Sequence, residues 1–288
     1  MILSPLFAAV GSALETNLSK KILQKATISS YTFSYFMIVS IIQLPLLFFN
    51  QLSVTFAFLS LGGGILIFLA NRLYFYALTL NDVSDIAPLK VISALTAAIL
   101  GYIFLKDERL PWQTYIILAA ILFSIYLLYS SKGKFFSSLL SKSSVLAMVS
   151  MVIWGIFYTY LKFATTLANP LFLYWGFGLV FLLCTILFTA LKKEKLRYIP
   201  DTEIKLFGRE MPLRLVFLVT AAIILLEYYI LYTSVASFSS TICVILYNTD
   251  ILFMTLLSLV FFKAKIGVSK WLSIGLASLS IIALQMYM

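Results

Sequence analysis

Glu15, Arg72, Lys90, Glu227 and Asp250 are charged residues set inside stretches that are otherwise apolar for about twenty residues. A charge near the centre of a bilayer costs roughly 2.5 kcal/mol or more on insertion scales, so such residues are rare and mark pathways or sites. Two basic groups and three acidic ones could hold the two ends of a zwitterion such as an amino acid, or they could neutralise one another inside a packed core. A carboxylate taken out of water is also a candidate carrier for a coupling proton. Other chemistries are poorly served. There is no histidine, which removes His-ligated zinc sites and Ser-His-Asp triads. Cys184 and Cys243 are the only cysteines and both lie in apolar runs, so neither a disulfide framework nor a CxxC metal site is available. No glycine-rich phosphate-binding loop of the GxxxxGK or GxGxxG type occurs. No cofactor and no bound metal is therefore expected.

The elements that must position these residues are membrane helices. The chain is 62% hydrophobic and only 11% charged, where soluble domains run near a quarter charged. Its apolar runs are long enough to cross a hydrocarbon core of roughly 30 Å, and too long for barrel strands. The expected fold is all-α and integral to the membrane, with ten spans near 2–19, 28–49, 54–79, 84–105, 112–130, 144–163, 170–191, 214–235, 240–262 and 268–287. The first run has no basic residue ahead of it and Lys20 and Lys21 behind it, so it reads as a retained span instead of a signal peptide. The net charge of +10 falls between spans, as the positive-inside bias requires, and not in a patch for nucleic acid.

The ten spans read as two copies of five, 1–131 and 144–288, joined by a loop at 132–143. Lys20 and Lys162 end equivalent spans at an offset of 142, as do Phe49 and Leu191; from the third span on the offset is 156, pairing Asn71 with Glu227 and Tyr76 with Tyr232. The 14-residue difference is housed in the hydrophilic loop 192–213. Because five is odd, the second copy enters the membrane the other way up, which is the architecture of secondary transporters with a midplane site. Sixteen of the Lys and Arg residues between spans fall on one side and three on the other (Lys106, Arg109 and Lys162). That asymmetry predicts a multi-pass protein of the cell (inner) membrane with both termini outside and the 192–213 loop in the cytoplasm.

Each candidate has a structural reading beside its functional one. Asp250 is the eleventh residue of its span, about 15 Å from either end; it is a site carboxylate or a buried structural one. On a continuous helix Cys243 and Met254 share its face, while Asn248, its polar neighbour, does not. Glu227 and Asn71 hold matching positions in the two copies, which suits a cavity better than lipid. Arg72, about 12 Å before its helix ends, requires an acidic partner or an anionic ligand. Lys90 lies less than two turns inside its span if Asp85 caps it, with Pro88 at a position that needs no N–H. It could snorkel to the surface, yet it shares a face with Ser93, Ala94, Ala97 and Gly101, which leave room for tight packing or a ligand. Glu15, near the end of the first span, suits proton coupling or cation binding, or is an interfacial carboxylate. Tyr74, one turn from Asn71, is the aromatic most suited to lining a cavity. Gly62-Gly63-Gly64 eases packing or bending of the third span.

The stretch IAPLKVISALTAAILGYIFLKDERLPWQTYIILAAILFSIYLL, with Pro88, Glu108 and Gln113, resembles the EamA-type branch of the drug/metabolite transporter superfamily, as does WGIFYTYLK at 154–162. In the second half Ala264 and Val244 stand at the glutamate and proline positions. Ile116 and Ser124 replace two glycines usual in the fifth helix, while Gly275 stands in the tenth. The resemblance implies metabolite transport by alternating access and a central cavity lined by spans 1, 3, 4, 6, 8 and 9. The leading expectation is thus a secondary transporter of a small polar metabolite, plausibly an amino acid or other zwitterion, with the lipid bilayer and a coupling proton or other ion as its remaining partners and no nucleic acid. The rivals are a flippase or carrier for a lipid-linked or hydrophobic cationic substrate, which calls for an open lateral groove, and an intramembrane enzyme, which calls for catalytic groups gathered at one membrane face.

Overall fold

A computed structural model describes residues 4–48, 50–105, 140–194, 199–200, 202–206, 209–237 and 239–262, with scattered positions in 112–123 and 267–283. Most of the expected fifth and tenth spans, Glu108 and the 132–139 stretch lie outside the described residues. The helices are α1 (Ser4–Leu23), α2 (Ile28–Ile42), α3 (Val54–Leu80), α4 (Val83–Phe104), α5 (Lys142–Thr165), α6 (Pro170–Leu191), α7 (Leu213–Ser237) and α8 (Ser240–Phe262). The six from α3 to α8 are each long and apolar enough to cross a membrane. Outward-facing side chains such as Phe7, Phe58 and Phe104 leave most of their surface uncovered, a choice that makes sense against lipid.

Helix starts follow from single polar residues ahead of apolar runs. The side-chain oxygens of Thr27, Ser53, Ser141 and Ser239 accept from the backbone N–H groups of Ser30, Phe56, Ser144 and Ile242, and Asn169 does the same ahead of Pro170. Three expectations need correction. The second span stops at Ile42 and continues as a 3₁₀ turn, Leu44–Phe48, because Pro45 lacks the N–H that would extend the helix. The fourth and ninth spans are both broken. In α4 a 3₁₀ turn at Ala87–Lys90 separates Val83–Ile86 from Val91–Phe104, with Asp82 and not Asp85 at the N-cap position; Pro88 is the cause. In α8 a turn at Asn248–Thr249 separates Ser240–Tyr247 from Asp250–Phe262. There the Thr249 hydroxyl donates to the Leu246 carbonyl at 2.8 Å, competing with the helical ladder. The loop after α6 is not wholly irregular either, since β1 (Glu203–Leu206) and β2 (Arg209–Pro212) form an antiparallel hairpin.

Packing crosses between the two sequence halves. Helix α1 lies against α7 and both parts of α8, whereas α5 lies against α3 and α4. Helix α3 also packs along α6, where Gly63 and Gly64 take the place of side chains: a Cβ at Gly64 would lie 2.9 Å from the Phe177 carbonyl oxygen. Small residues let the two backbones approach, as membrane helices require. The Lys20 ammonium donates to the Asn81 carbonyl just past α3, and Lys162 donates to the Val235 and Ala236 carbonyls at the end of α7. In each case a lysine near the end of a first helix satisfies carbonyls that a third helix leaves open.

Candidate functional site

The two broken helices meet. Lys90, the last residue of the 3₁₀ turn in α4, is 8% exposed, and Asp250, the first residue of the second segment of α8, is wholly buried. The Lys90 ammonium donates to Asp250 Oδ2 and, at 2.9 Å, to Ser12 Oγ on α1; the Ser12 hydroxyl donates to the same Oδ2 at 2.6 Å. Asp250 opens the second segment of α8, where the Ile251 and Leu252 N–H groups turn back to the Asn248 and Thr249 carbonyls at 3.2 and 3.1 Å. Its second oxygen, Oδ1, is buried without a hydrogen-bond partner. Lys90 therefore does not snorkel: its ammonium is held inside, with the rings of Tyr247 and Tyr74 at 5.4 and 5.8 Å. Such rings attract a desolvated cation.

On the Lys90 side of this pair lies a polar cavity of about 30 Å³, room for about two waters. Among the described residues, six helices line it. Ser12 and Glu15 come from α1; Asn71 and Tyr74 from α3; Lys90 and Ser93 from α4. Much of the rest of the lining is aromatic, with Trp154 and Tyr158 from α5, Tyr228 from α7 and Tyr247 from α8. Trp154 stacks on both Tyr158 and Tyr228, at 5.5 and 6.4 Å between ring centres. These helices correspond to spans 1, 3, 4, 6, 8 and 9.

Glu227 enters the cavity from α7. It is 3% exposed; its Oε1 accepts from the Tyr247 hydroxyl, and its Oε2 has no hydrogen-bond partner. Gly11 faces it from α1, and a Cβ there would come within 3.2 Å of the Glu227 Cβ, so glycine is what allows α1 and α7 to close around the carboxylate. Glu15, one turn on, accepts from Ser19 at 2.9 Å and from Thr16 at 3.2 Å. Asn248 reaches Ser93 on α4 at 3.4 Å. Asn248 lines the cavity, whereas Asp250, two residues on, lies behind Lys90.

Of the eight candidates, Glu15, Asn71, Tyr74, Lys90, Glu227 and Asn248 line one cavity, and Asp250 is bonded to it through Lys90. Arg72 is elsewhere. Its guanidinium lies over Phe188 at 3.7 Å, donates to Ser29 Oγ at 2.9 Å and pairs with Glu194 at 3.8 Å, so its acidic partner comes from the segment after α6. Reasoning from sequence missed Ser12 and the aromatic wall. Ser12 carries no signal, since lone hydroxyls are frequent in membrane helices. Trp154 and Tyr158 did carry one, being four residues apart on one helical face.

As a chemical device the cavity presents one ammonium, two carboxylates, serine and tyrosine hydroxyls, amides and ring faces, with the third carboxylate, Asp250, behind Lys90. It can grip charges of both signs. The EamA-like transporter family model matches residues 1–130 and 141–286. A solved chain described only as a crystal structure of protein shares 16% sequence identity and a TM-score of 0.62, covering 98% of this chain and 93% of its own, which is a likeness of fold. No curated protein matches. A family match over both halves, with apolar helices of spanning length enclosing a polar cavity, leads to one conclusion: the chain belongs to the EamA-like transporter family of the drug/metabolite transporter superfamily, and is a multi-pass membrane transporter.

Proposed function

We propose that the protein is a secondary transporter that moves a small zwitterionic metabolite, an amino acid being the simplest case, by alternating access. The observation that carries this reading is the convergence of Lys90, Glu227 and Glu15 on one buried cavity, with Asp250 bonded to Lys90. At about 30 Å³ the cavity admits no metabolite as it stands, so binding has to move helices apart, and alternation between two openings is the economical way to do so. Ten spans in two inverted five-helix repeats are supported by the exchanged packing of α1 on α7 and α8 and of α5 on α3 and α4. The matching lysine contacts of Lys20 and Lys162 support it too, as does a family match that falls on each half. The basic loops favour an inner-membrane orientation with both termini outside.

One feature favours a second reading. The aromatic wall and the excess of carboxylates over ammonium groups would also suit a hydrophobic cation. A lipid-linked substrate is less well served, because the apolar groove among Ile42, Leu46, Leu171 and Leu226 shares no lining residue with the polar cavity. The test is counterflow in proteoliposomes, with each of the common amino acids in labelled form against a preloaded excess. Accumulation of at least one amino acid is expected. Uptake of a lipophilic cation with no amino acid transported would overturn the zwitterion reading in favour of the second.

A further inference from the structure

We infer that the Lys90–Asp250 ion pair is itself the substrate receptor: it opens to admit a zwitterion, whose carboxylate takes Lys90 and whose ammonium takes Asp250. This rests on the transporter reading above and assigns its binding groups.

Three features of the pair point the same way. First, it is incompletely satisfied. An ammonium has three N–H donors; two are used on Asp250 and Ser12, and the residue lines the cavity. Asp250 Oδ1 accepts nothing although the residue is wholly buried. An inserted ligand thus finds a donor waiting in the cavity and, once Lys90 shifts toward it, an unused acceptor behind. Second, each partner sits at a break in its helix, Lys90 at the end of the 3₁₀ turn in α4 and Asp250 at the restart of α8. The pair ties a helix of the first sequence half to one of the second, 160 residues apart. Broken helices are where membrane transporters gather their ligands and where a hinge is least costly. Third, charge conservation restricts what can enter. Parting a buried ion pair leaves two charges without partners, which is strongly unfavourable. A simple anion would re-pair only Lys90, and a simple cation only Asp250. A molecule carrying both charges re-pairs both, so the closed pair selects zwitterions against their fragments.

The experiment separates the two ends. Thermal unfolding of the detergent-purified full-length protein is followed in sodium acetate, methylammonium chloride and sodium chloride at equal ionic strength. Wild type should respond alike to all three. Asp250→Asn keeps the volume filled but frees Lys90, so acetate should raise its melting temperature by about 3 °C over chloride. Lys90→Met frees Asp250, and methylammonium should do the same for it while acetate does not. Stabilisation that ignores the variant, or no stabilisation by either fragment, overturns the assignment. Ser12→Ala gives a second measurement that leaves both charges in place. It removes a donor to Asp250 and an acceptor from Lys90, so the half-saturating concentration of the amino acid that counterflows should fall about fivefold; an unchanged or raised value overturns the assignment as well. A fragment switch with no amino acid transported would sink the transporter reading and leave the receptor. Transport without the switch would sink the receptor alone.

Discussion

Removing one member of the Lys90–Asp250 pair should destabilise the protein far more than removing both. Lys90→Met leaves Asp250 with the Ser12 hydroxyl as its one side-chain donor at Oδ2 and none at Oδ1, in a position with no exposed surface. Breaking a buried pair in this way costs about 3–5 kcal/mol. In Lys90→Met/Asp250→Leu no charge is stranded, and replacement of a buried pair by apolar residues is commonly neutral or even stabilising by roughly 1–4 kcal/mol. With about 2–4 °C per kcal/mol for chains of this order, the single variant should melt about 6–20 °C below wild type and the double variant near it. The assay is tryptophan fluorescence against temperature for the four members of the cycle, with Asp250→Leu completing it. A coupling of several kcal/mol is expected from side chains in direct contact. If the two single losses simply add in the double variant, the charges are not held by one another and the reasoning fails.

Three further outcomes follow from the packing and the cavity. Gly64→Ala should lower the melting temperature by an amount matching about 1–3 kcal/mol, because its Cβ meets the Phe177 backbone, while Gly267→Ala, with open space around it, should not; equal effects would show that α3 and α6 are not in close contact. Arg72→Leu should change stability by less than about 1 kcal/mol, since its partner Glu194 is 42% exposed, and should leave half-saturation in counterflow unaltered. Glu227→Gln keeps an oxygen for Tyr247 but turns the unpartnered Oε2 into an amide donor, so counterflow should drop at least about tenfold while the melting temperature moves by no more than about 2 °C; unimpaired flux would remove Glu227 from the site.

The helices were legible where the physics is local. Apolar length placed α6 at Pro170–Leu191 and the outer ends of α8 at Ser240 and Phe262. The candidate site was legible for a different reason: charges are so costly in lipid that any retained there converge, as Glu15, Lys90, Glu227 and Asp250 do. Arg72 obeyed the same rule and found its acid in Glu194, a residue outside the spans that hydropathy does not single out. What sequence reasoning did not reveal depended on the backbone departing from a regular helix. The break at Asn248–Thr249 contains neither proline nor glycine to announce it. The pairing of Lys90 with Asp250 rests on a contact across 160 residues, which no local pattern encodes.

The exchanged packing of α1 has a consequence for how the protein is made. Ser12 and Asp250 are 238 residues apart, and at roughly 5–20 residues per second a ribosome needs about 12–48 s to supply the second after the first. For most of that interval α1, carrying Ser12, Glu15 and Asn17, has none of its eventual neighbours in α7 and α8. Lys90 waits about 8–32 s for Asp250 at the same pace. Newborn helices with unmatched polar groups carry a cost in lipid, roughly 2.5 kcal/mol or more for each charge, that is relieved only when the last third of the chain arrives. Assembly of this fold is therefore a matter of waiting as much as of packing, and a ribosome stalled before α8 would strand a charged helix with nothing to close upon.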